Sequence, residues 1–121
     1  MIKILIIDDD EFLLDMYSLK FKEEGFNVET AKNGAESIYK VEKFAPDVVL
    51  VDIVMPNMDG FEVIKSLKKK LKTSAKIIAL SNLDQKDSMD KAILVGADDY
   101  IKKADFTPSQ ILKKIKKILG N

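Results

Sequence analysis

The chain has 121 residues, of which 46% are hydrophobic and 33% charged, and its 20 basic and 20 acidic residues give a net charge of zero. This length and composition are typical of one globular domain, which we predict to span residues 1–121. The absence of cysteine and histidine excludes disulfides, thiolate and imidazole metal sites, cysteine nucleophiles and a phosphohistidine on this chain.

No apolar stretch of the sequence is long enough to span a membrane, and the N-terminus has no signal-peptide pattern. We therefore predict a cytoplasmic protein without a membrane partner. The zero net charge gives no indication of direct nucleic acid binding. Every basic residue is a lysine, so a phosphate group would be bound by an ammonium or by the backbone and not by a bidentate guanidinium.

Five short apolar segments alternate with five amphipathic segments along the chain. We predict strands at Lys3–Ile7, Asn27–Ala31, Asp47–Val51, Lys76–Leu80 and Asp99–Ile101. We predict helices at Glu11–Glu24, Gly34–Phe44, Asp59–Leu71, Gln85–Val95 and Pro108–Leu119. The nearly continuous apolar runs of the first, third and fourth strands are typical of parallel strands covered on both faces. This alternation predicts an α/β fold with a doubly wound parallel sheet.

Several helix ends carry their own signals. Gly25 and Gly96 follow the first and fourth helices, as is typical of C-terminal caps. Before the last helix, Thr107 fits an N-cap, Pro108 fits the first turn, and Gln110 can close a capping box.

Polar residues follow four of the predicted strands. They are Asp8, Asp9 and Asp10 after the first strand, Asp52 after the third, Ser81 after the fourth, and Lys102 and Lys103 after the fifth. The carboxyl ends of parallel strands share one edge of the sheet, where α/β folds bind ligands. Closely spaced carboxylates repel one another, and a hard cation such as Mg²⁺ relieves that repulsion. The acidic run could equally be a solvated turn that caps the next helix.

With these residues in place, the chain resembles the receiver domain of two-component response regulators, the CheY-like family. The resemblance is carried by Ile-Ile-Asp-Asp-Asp at 6–10, Val-Asp-Ile-Val-Met-Pro-Asn-Met-Asp-Gly at 51–60, Ala-Leu-Ser at 79–81, and Gly-Ala-Asp-Asp-Tyr-Ile-Lys-Lys at 96–103. It implies a flavodoxin/CheY-like sheet of five parallel strands in the order 2-1-3-4-5, with five helices on its two faces.

The resemblance also implies the chemistry of the site. Asp52 would accept a phosphoryl group from a partner histidine kinase or histidine phosphotransfer protein. Mg²⁺ would be bound directly by Asp9, Asp52 and the backbone carbonyl of Val54, and through water by Asp8.

Three further residues have roles by the same resemblance. Ser81 and Lys103 would contact the phosphoryl oxygens, and Ser81 and Tyr100 would form a switch. Lys102 is the rival for the lysine role, because neighbouring side chains of a strand point to opposite faces. The family places its lysine three residues after the aromatic position, which selects Lys103 over Lys102.

The function that the resemblance implies is a phosphorelay switch and not a turnover enzyme, since the chain would catalyse only its own phosphorylation and dephosphorylation. Phosphorylation would change contacts with an unknown downstream protein at the face of helix 4, strand 5 and helix 5. We expect a monomer or a phosphorylation-dependent dimer. We also expect a stand-alone receiver without an output domain, the alternative being a receiver excised from a longer protein.

Two residues depart from the family pattern. Ala104 stands where relatives carry a proline, often after a cis peptide bond. Because a cis bond before a non-proline residue costs about 3–4 kcal/mol, we predict a trans bond between Lys103 and Ala104 and a rerouted loop. Asn82 stands where relatives often carry a small residue, and its larger side chain predicts slow self-dephosphorylation.

Two other classes of protein remain as alternatives. A haloacid-dehalogenase-type phosphatase also begins with Asp-x-Asp, which Asp8 and Asp10 satisfy, and uses a late acidic pair such as Asp98 and Asp99. That pair should follow the lysine instead of preceding it, and Asp52 would have no role. The other alternative is an interaction module that has lost its chemistry.

Overall fold

The computed structural model describes residues 1–55, 58–70, 75–81 and 86–120. For residues 58 and 86 it describes the backbone but not the side chain. Its main sheet has five parallel strands: β1 (Lys3–Ile7), β2 (Asn27–Ala31), β3 (Val48–Asp52), β4 (Lys76–Ser81) and β5 (Asp99–Lys102). Their order across the sheet is β2-β1-β3-β4-β5. The predicted doubly wound parallel sheet and its strand order are confirmed.

Five α-helices connect or follow these strands. They are α1 (Glu11–Glu23), α2 (Gly34–Phe44), α3 (Gly60–Lys70), α4 (Lys86–Val95) and α5 (Pro108–Ile118). The bounds of β1, β2 and α2 are those predicted from the sequence, and every other described end matches its prediction or differs from it by one residue. The predicted ends at Leu71 and Gln85 lie outside the described residues.

Two short elements were not predicted. A two-stranded antiparallel hairpin pairs Val54–Met55 with Met58–Asp59 directly after β3. A 3-10 helix at Lys103–Asp105 leads the chain out of β5. No peptide bond is cis in the described part of the chain, which confirms the trans bond predicted between Lys103 and Ala104.

The sheet separates two hydrophobic clusters, because alternate residues of a strand point to opposite faces. On one face, Ile4 and Ile6 of β1 pack with residues of α1 and α5. On the other face, Leu5 and Ile7 pack with residues of α2, α3 and α4. All four of these β1 side chains are at most 1% exposed. This burial on both faces holds the strand ends, and hence the polar residues that follow them, in fixed positions.

The helix ends follow the local signals of the sequence. Asp10 is the N-cap of α1 and accepts hydrogen bonds from the backbone N–H groups of Phe12 and Leu13. Thr107 and Gln110 form the predicted capping box at the start of α5. An N-cap of this kind stabilises a helix by about 1 kcal/mol.

In its described part, the α4 helix buries only small side chains completely, and Val95 packs partly buried against the core. Among its described side chains at positions 87–95, Ser88 and Ala92 are buried, while Met89, Ile93 and Leu94 are exposed. The α5 helix, in contrast, buries three large aliphatic residues: Ile111, Leu112 and Ile115.

Candidate functional site

The carboxyl edge of the main sheet brings together most of the residues that the sequence singled out. Asp8 and Asp9 follow β1, Asp52 ends β3, Ser81 ends β4, and Lys103 follows β5. Parallel pairing of β3 with β4 places Asp52 beside Leu80, one residue before Ser81. Four separate segments thus contribute polar side chains to one end of the domain.

A cluster of three carboxylates forms the centre of this edge. Oxygen atoms of Asp8, Asp9 and Asp52 all lie within 4.8 Å of one another. Asp8 and Asp52 are buried, with 2% and 7% of their surface exposed, while Asp9 is intermediate. Two buried carboxylates this close to a third carry an excess of negative charge that the protein must compensate.

Lys103 provides part of that compensation. Its Nζ atom donates to Asp8 Oδ2 at 2.9 Å and to Asp52 Oδ2 at 3.0 Å. Only 9% of the Lys103 side chain is exposed, so both ion pairs are shielded from water. The structure therefore places Lys103, and not its rival Lys102, against the predicted acceptor.

Backbone N–H groups hold the carboxylates in orientation. Asp8 Oδ1 accepts from the N–H of Asp10 at 3.0 Å, and Asp52 Oδ1 accepts from the N–H of Val54 at 3.0 Å. The carboxylate of Asp10 itself caps α1 and does not belong to the cluster. The two sequence interpretations of the acidic run thus apply to different residues, with Asp10 as the cap and Asp8 and Asp9 in the site.

Burial shifts the protonation equilibria of the site. It raises the pKa of Asp52 to about 6, with Lys103 opposing that rise and Asp8 adding to it. Burial and the neighbouring Asp8 also raise the pKa of Asp9. Burial alone would lower the pKa of Lys103, but its hydrogen bond to Asp8 and the charge of Asp52 raise it. The lysine is therefore charged near neutral pH, whereas Asp52 takes up a proton at about pH 6.

Ser81 and Tyr100, two further predicted residues, lie on the adjacent strands β4 and β5. Ser81 is fully buried at the end of β4, beside Lys102 in the pairing register of β5. Tyr100 is half-buried and packs against the hydrophobic cluster on the sheet face that α2, α3 and α4 cover. Its role as a switch residue stays a prediction. Asn82 lies outside the described residues. Its predicted effect on self-dephosphorylation stays a prediction.

Two residues near the site were not singled out from the sequence. Tyr17 of α1 is 5% exposed, and burial raises the pKa of its hydroxyl, which also senses the charges of Lys103 and Asp8. Gly60 contacts the backbone that follows Asp52. In the sequence Tyr17 is one more core position of an amphipathic helix, and Gly60 is one member of a family motif.

The comparison with known proteins decides the family. The response regulator receiver domain profile matches residues 4–116, which is most of the chain. The chain belongs to the response regulator receiver domain family. The predicted resemblance is confirmed. Asp10 and Asp98, which the phosphatase alternative would need, instead accept hydrogen bonds from the backbone N–H groups of Phe12 and Ile77.

Three similar proteins illustrate the range of the family. The receiver domain is 37% identical to the chemotaxis protein CheY of Bacillus subtilis (strain 168), with 98% of each chain covered. It is 33% identical to the alkaline phosphatase synthesis transcriptional regulatory protein PhoP of the same organism, covering 97% of this chain and 48% of PhoP. It therefore spans about half the length of that longer relative.

The third is a solved structure, the CheY-like receiver domain protein from Methanospirillum hungatei JF-1. It superposes with a TM-score of 0.89 at 32% identity and covers 98% of this chain and 94% of that one. Response regulator receiver domains interact with histidine kinases and downstream effectors, and they bind Mg²⁺ at an acidic pocket. In the part of the chain that the structure describes, no helix has the length and apolar character needed to cross a membrane.

Proposed function

We propose that this receiver domain takes a phosphoryl group onto Asp52 from a histidine kinase or histidine phosphotransfer protein. The observation that carries the proposal is the setting of Asp52: a buried carboxylate at the sheet edge, held by Lys103 and by the N–H of Val54. Its two oxygens are thus fixed in orientation, and orientation together with electrostatics supplies most of the catalysis of phosphoryl transfer.

In the proposed reaction, a carboxylate oxygen of Asp52 forms a bond to phosphorus while the bond from phosphorus to the donor's imidazole nitrogen breaks. The chain has no histidine, so the donor imidazole belongs to another molecule. The carboxylate must be ionised to attack. With a pKa of about 6, Asp52 is mostly ionised at neutral pH.

The residues at the site fit a divalent cation of the magnesium type. Three carboxylates offer oxygen atoms within 4.8 Å of one another, and Mg²⁺ prefers oxygen ligands. Asp9 and Asp52 would hold it directly, with the backbone carbonyl of Val54, and Asp8 would act through water. When bound, Mg²⁺ supplies positive charge that offsets the charge of the nucleophile and of the phosphoryl group.

The consequence of phosphorylation would be a change of contacts at the surface formed by α4, β5 and α5. Lys103 and Ser81 would contact the phosphoryl oxygens, and Tyr100 would respond to the movement of Ser81. The population shift can be no larger than the difference in the phosphoryl group's interaction with the two states. In this proposal the receiver changes only its own phosphorylation state, and a downstream protein reads the change.

Intact mass spectrometry after incubation with acetyl phosphate and Mg²⁺ tests the acceptor. We expect one added phosphoryl group on the native chain and none on Asp52→Asn. The exposed carboxylate of Asp105 provides a control, and Asp105→Asn should be modified like the native chain. Phosphoramidate, which has a phosphorus–nitrogen bond, serves as a second donor.

Other outcomes point to other functions. Native-level uptake by Asp52→Asn would show that the acceptor lies elsewhere. A native chain that binds Mg²⁺ but accepts from neither donor would favour the interaction module. Repeated turnover of a generic phosphate ester would favour an enzyme over a stoichiometric switch.

A further inference from the structure

We infer that Gly60 is a positioning residue, which lets the hairpin after β3 aim the backbone carbonyl of Val54 at the carboxylate cluster. The inference rests on the proposed binding of Mg²⁺ at that cluster. It concerns how this chain holds a backbone oxygen in place, and it is carried by the pairing of the hairpin and by the packing around Gly60.

The pairing of the hairpin sets the direction of the Val54 backbone. Val54 lies opposite Asp59, and Met55 lies opposite Met58. The N–H of Gly60 donates to the carbonyl of Ile53 at 3.3 Å. In an antiparallel ladder, hydrogen-bonded and non-hydrogen-bonded pairs alternate. Because the bond from Gly60 to Ile53 flanks the Val54–Asp59 pair, that pair is of the non-hydrogen-bonded kind, and the polar backbone groups of Val54 point away from the partner strand.

The N–H of Val54 shows where those groups point. It donates to Asp52 Oδ1 at 3.0 Å, so this edge of the hairpin faces the carboxylate cluster. The N–H and C=O groups of one residue in an antiparallel strand lie on the same edge. The carbonyl oxygen of Val54 therefore lies on the cluster side and adds a fourth oxygen to the three carboxylates.

The packing around Gly60 keeps the hairpin closed. A Cβ atom at position 60 would lie 2.4 Å from Ile53 Cα, 2.7 Å from the Asp52 carbonyl oxygen and 2.8 Å from that of Ile53. All three are backbone atoms, which cannot turn aside as the end of a flexible side chain can. Any side chain at position 60 would therefore push the start of α3 away from the segment that carries Asp52.

Ile53 cannot shift to relieve this clash, because it is fixed to the main sheet. The N–H of Ile53 donates to the carbonyl of Leu80 in β4 at 3.0 Å, which ties this residue to the main sheet. The hairpin is the part left to open, and opening it releases the carbonyl of Val54 from its fixed direction.

The test is the dissociation constant for Mg²⁺, measured by isothermal titration calorimetry on the folded full chain. We expect Gly60→Ala to raise it about tenfold or more, as outer supports of metal ligands typically do when they are lost. Gly25→Ala is the matched control. Gly25 has a positive φ of 94° but no atom within 4 Å of a Cβ, so its substitution strains the backbone without touching the hairpin and should leave the constant unchanged.

A second pair of variants avoids the steric clash altogether, in case Gly60→Ala does not fold. Val54→Gly frees the backbone at the carbonyl, whereas Glu29→Gly frees the backbone at an exposed strand residue away from the hairpin. We expect Val54→Gly to weaken Mg²⁺ binding several-fold and Glu29→Gly to leave it unchanged.

The outcomes separate the two proposals. A native chain that binds no Mg²⁺ overturns the proposed metal site and this inference with it. A native chain that binds Mg²⁺, with the same affinity in Val54→Gly and in any folded Gly60→Ala, overturns the positioning role alone.

Discussion

Replacing Lys103 by methionine is expected to lower the free energy of unfolding by about 3 kcal/mol at pH 7.5 without divalent cations, as is typical when one partner of a buried ion pair is removed. The lysine lies between Asp8 and Asp52, which are 2% and 7% exposed. Without its ammonium group, two buried carboxylates face one another with no cation between them. Urea denaturation followed by circular dichroism measures the loss.

The pH dependence of that loss has a definite sign. The pKa of Lys103 is raised in the folded protein, so its contribution is fully present below the unfolded pKa and is lost only as pH rises through the folded value. In Lys103→Met, protonating a buried carboxylate relieves the repulsion between the two. Because Lys103 lowers the pKa of Asp52 in the native chain, Asp52 in the variant takes up a proton above pH 6, and the loss should shrink as pH falls from 7.5 toward about 6.

An exposed lysine supplies the control for this experiment. Lys113→Met on α5 removes one positive charge from a solvated side chain, and such surface changes are worth within about 0.5 kcal/mol. A Lys103→Met loss as small as that of Lys113→Met, or one that does not change between pH 5 and 8, would contradict the expected role. Mg²⁺ should recover part of the loss if it binds at the proposed site.

Asp52→Asn is expected to have the opposite effect and to raise the free energy of unfolding at pH 7.5. Burial raises the folded pKa of Asp52 from 3.8 to about 6. A carboxyl group raised in this way contributes stability that is fully present below pH 3.8 and is lost as pH rises through about 6. At about 1.4 kcal/mol for each pKa unit, the native chain loses at most about 3 kcal/mol by ionising this group.

The amide substitution avoids that loss but deprives Lys103 of one partner, so we expect a net gain of about 1–2 kcal/mol. The gain should disappear below about pH 4, where the native carboxyl is protonated as well. Asp90→Asn, at an exposed position of α4, should show no such gain. A stability difference between Asp52→Asn and the native chain that stays constant from pH 4 to 8 would refute the explanation.

The two substitutions are also expected to be coupled. In the Asp52→Asn background one of the two facing carboxylates is gone, so Lys103→Met should cost clearly less than in the native chain. A double-mutant cycle measures the difference. Equal costs in both backgrounds would mean that the 3.0 Å contact between these side chains carries no interaction energy.

The sequence was most informative where local chemistry decides the structure. The strand at Lys3–Ile7 ends at charge, and the helix at Pro108 begins with a capping box, so both were predicted from neighbouring residues alone. The hairpin at Val54–Met55 and Met58–Asp59 was missed, because strands of two residues carry no periodic signal. Its closure depends on contacts between backbone segments that only the folded chain brings together.

The site shows the same division. Strand-end positions predicted the gathering of Asp8, Asp9, Asp52 and Ser81, because the sheet topology places them on one edge. The alternation of side chains along β5 predicted only that Lys102 and Lys103 point to opposite faces of the sheet. The family resemblance was needed to select Lys103. The choice agrees with the 2.9 Å and 3.0 Å contacts in the structure.

The small apolar area that α4 buries determines how much work is needed to move this helix. The burial of Ser88 and Ala92 removes little apolar surface from water, whereas α5 is fixed by three large aliphatic side chains. At about 25 cal/mol for each Å² of apolar surface, lifting or sliding α4 requires much less work than moving α5. We therefore expect α4 to move more easily than α5, with amide hydrogens that exchange with solvent faster than those of α5.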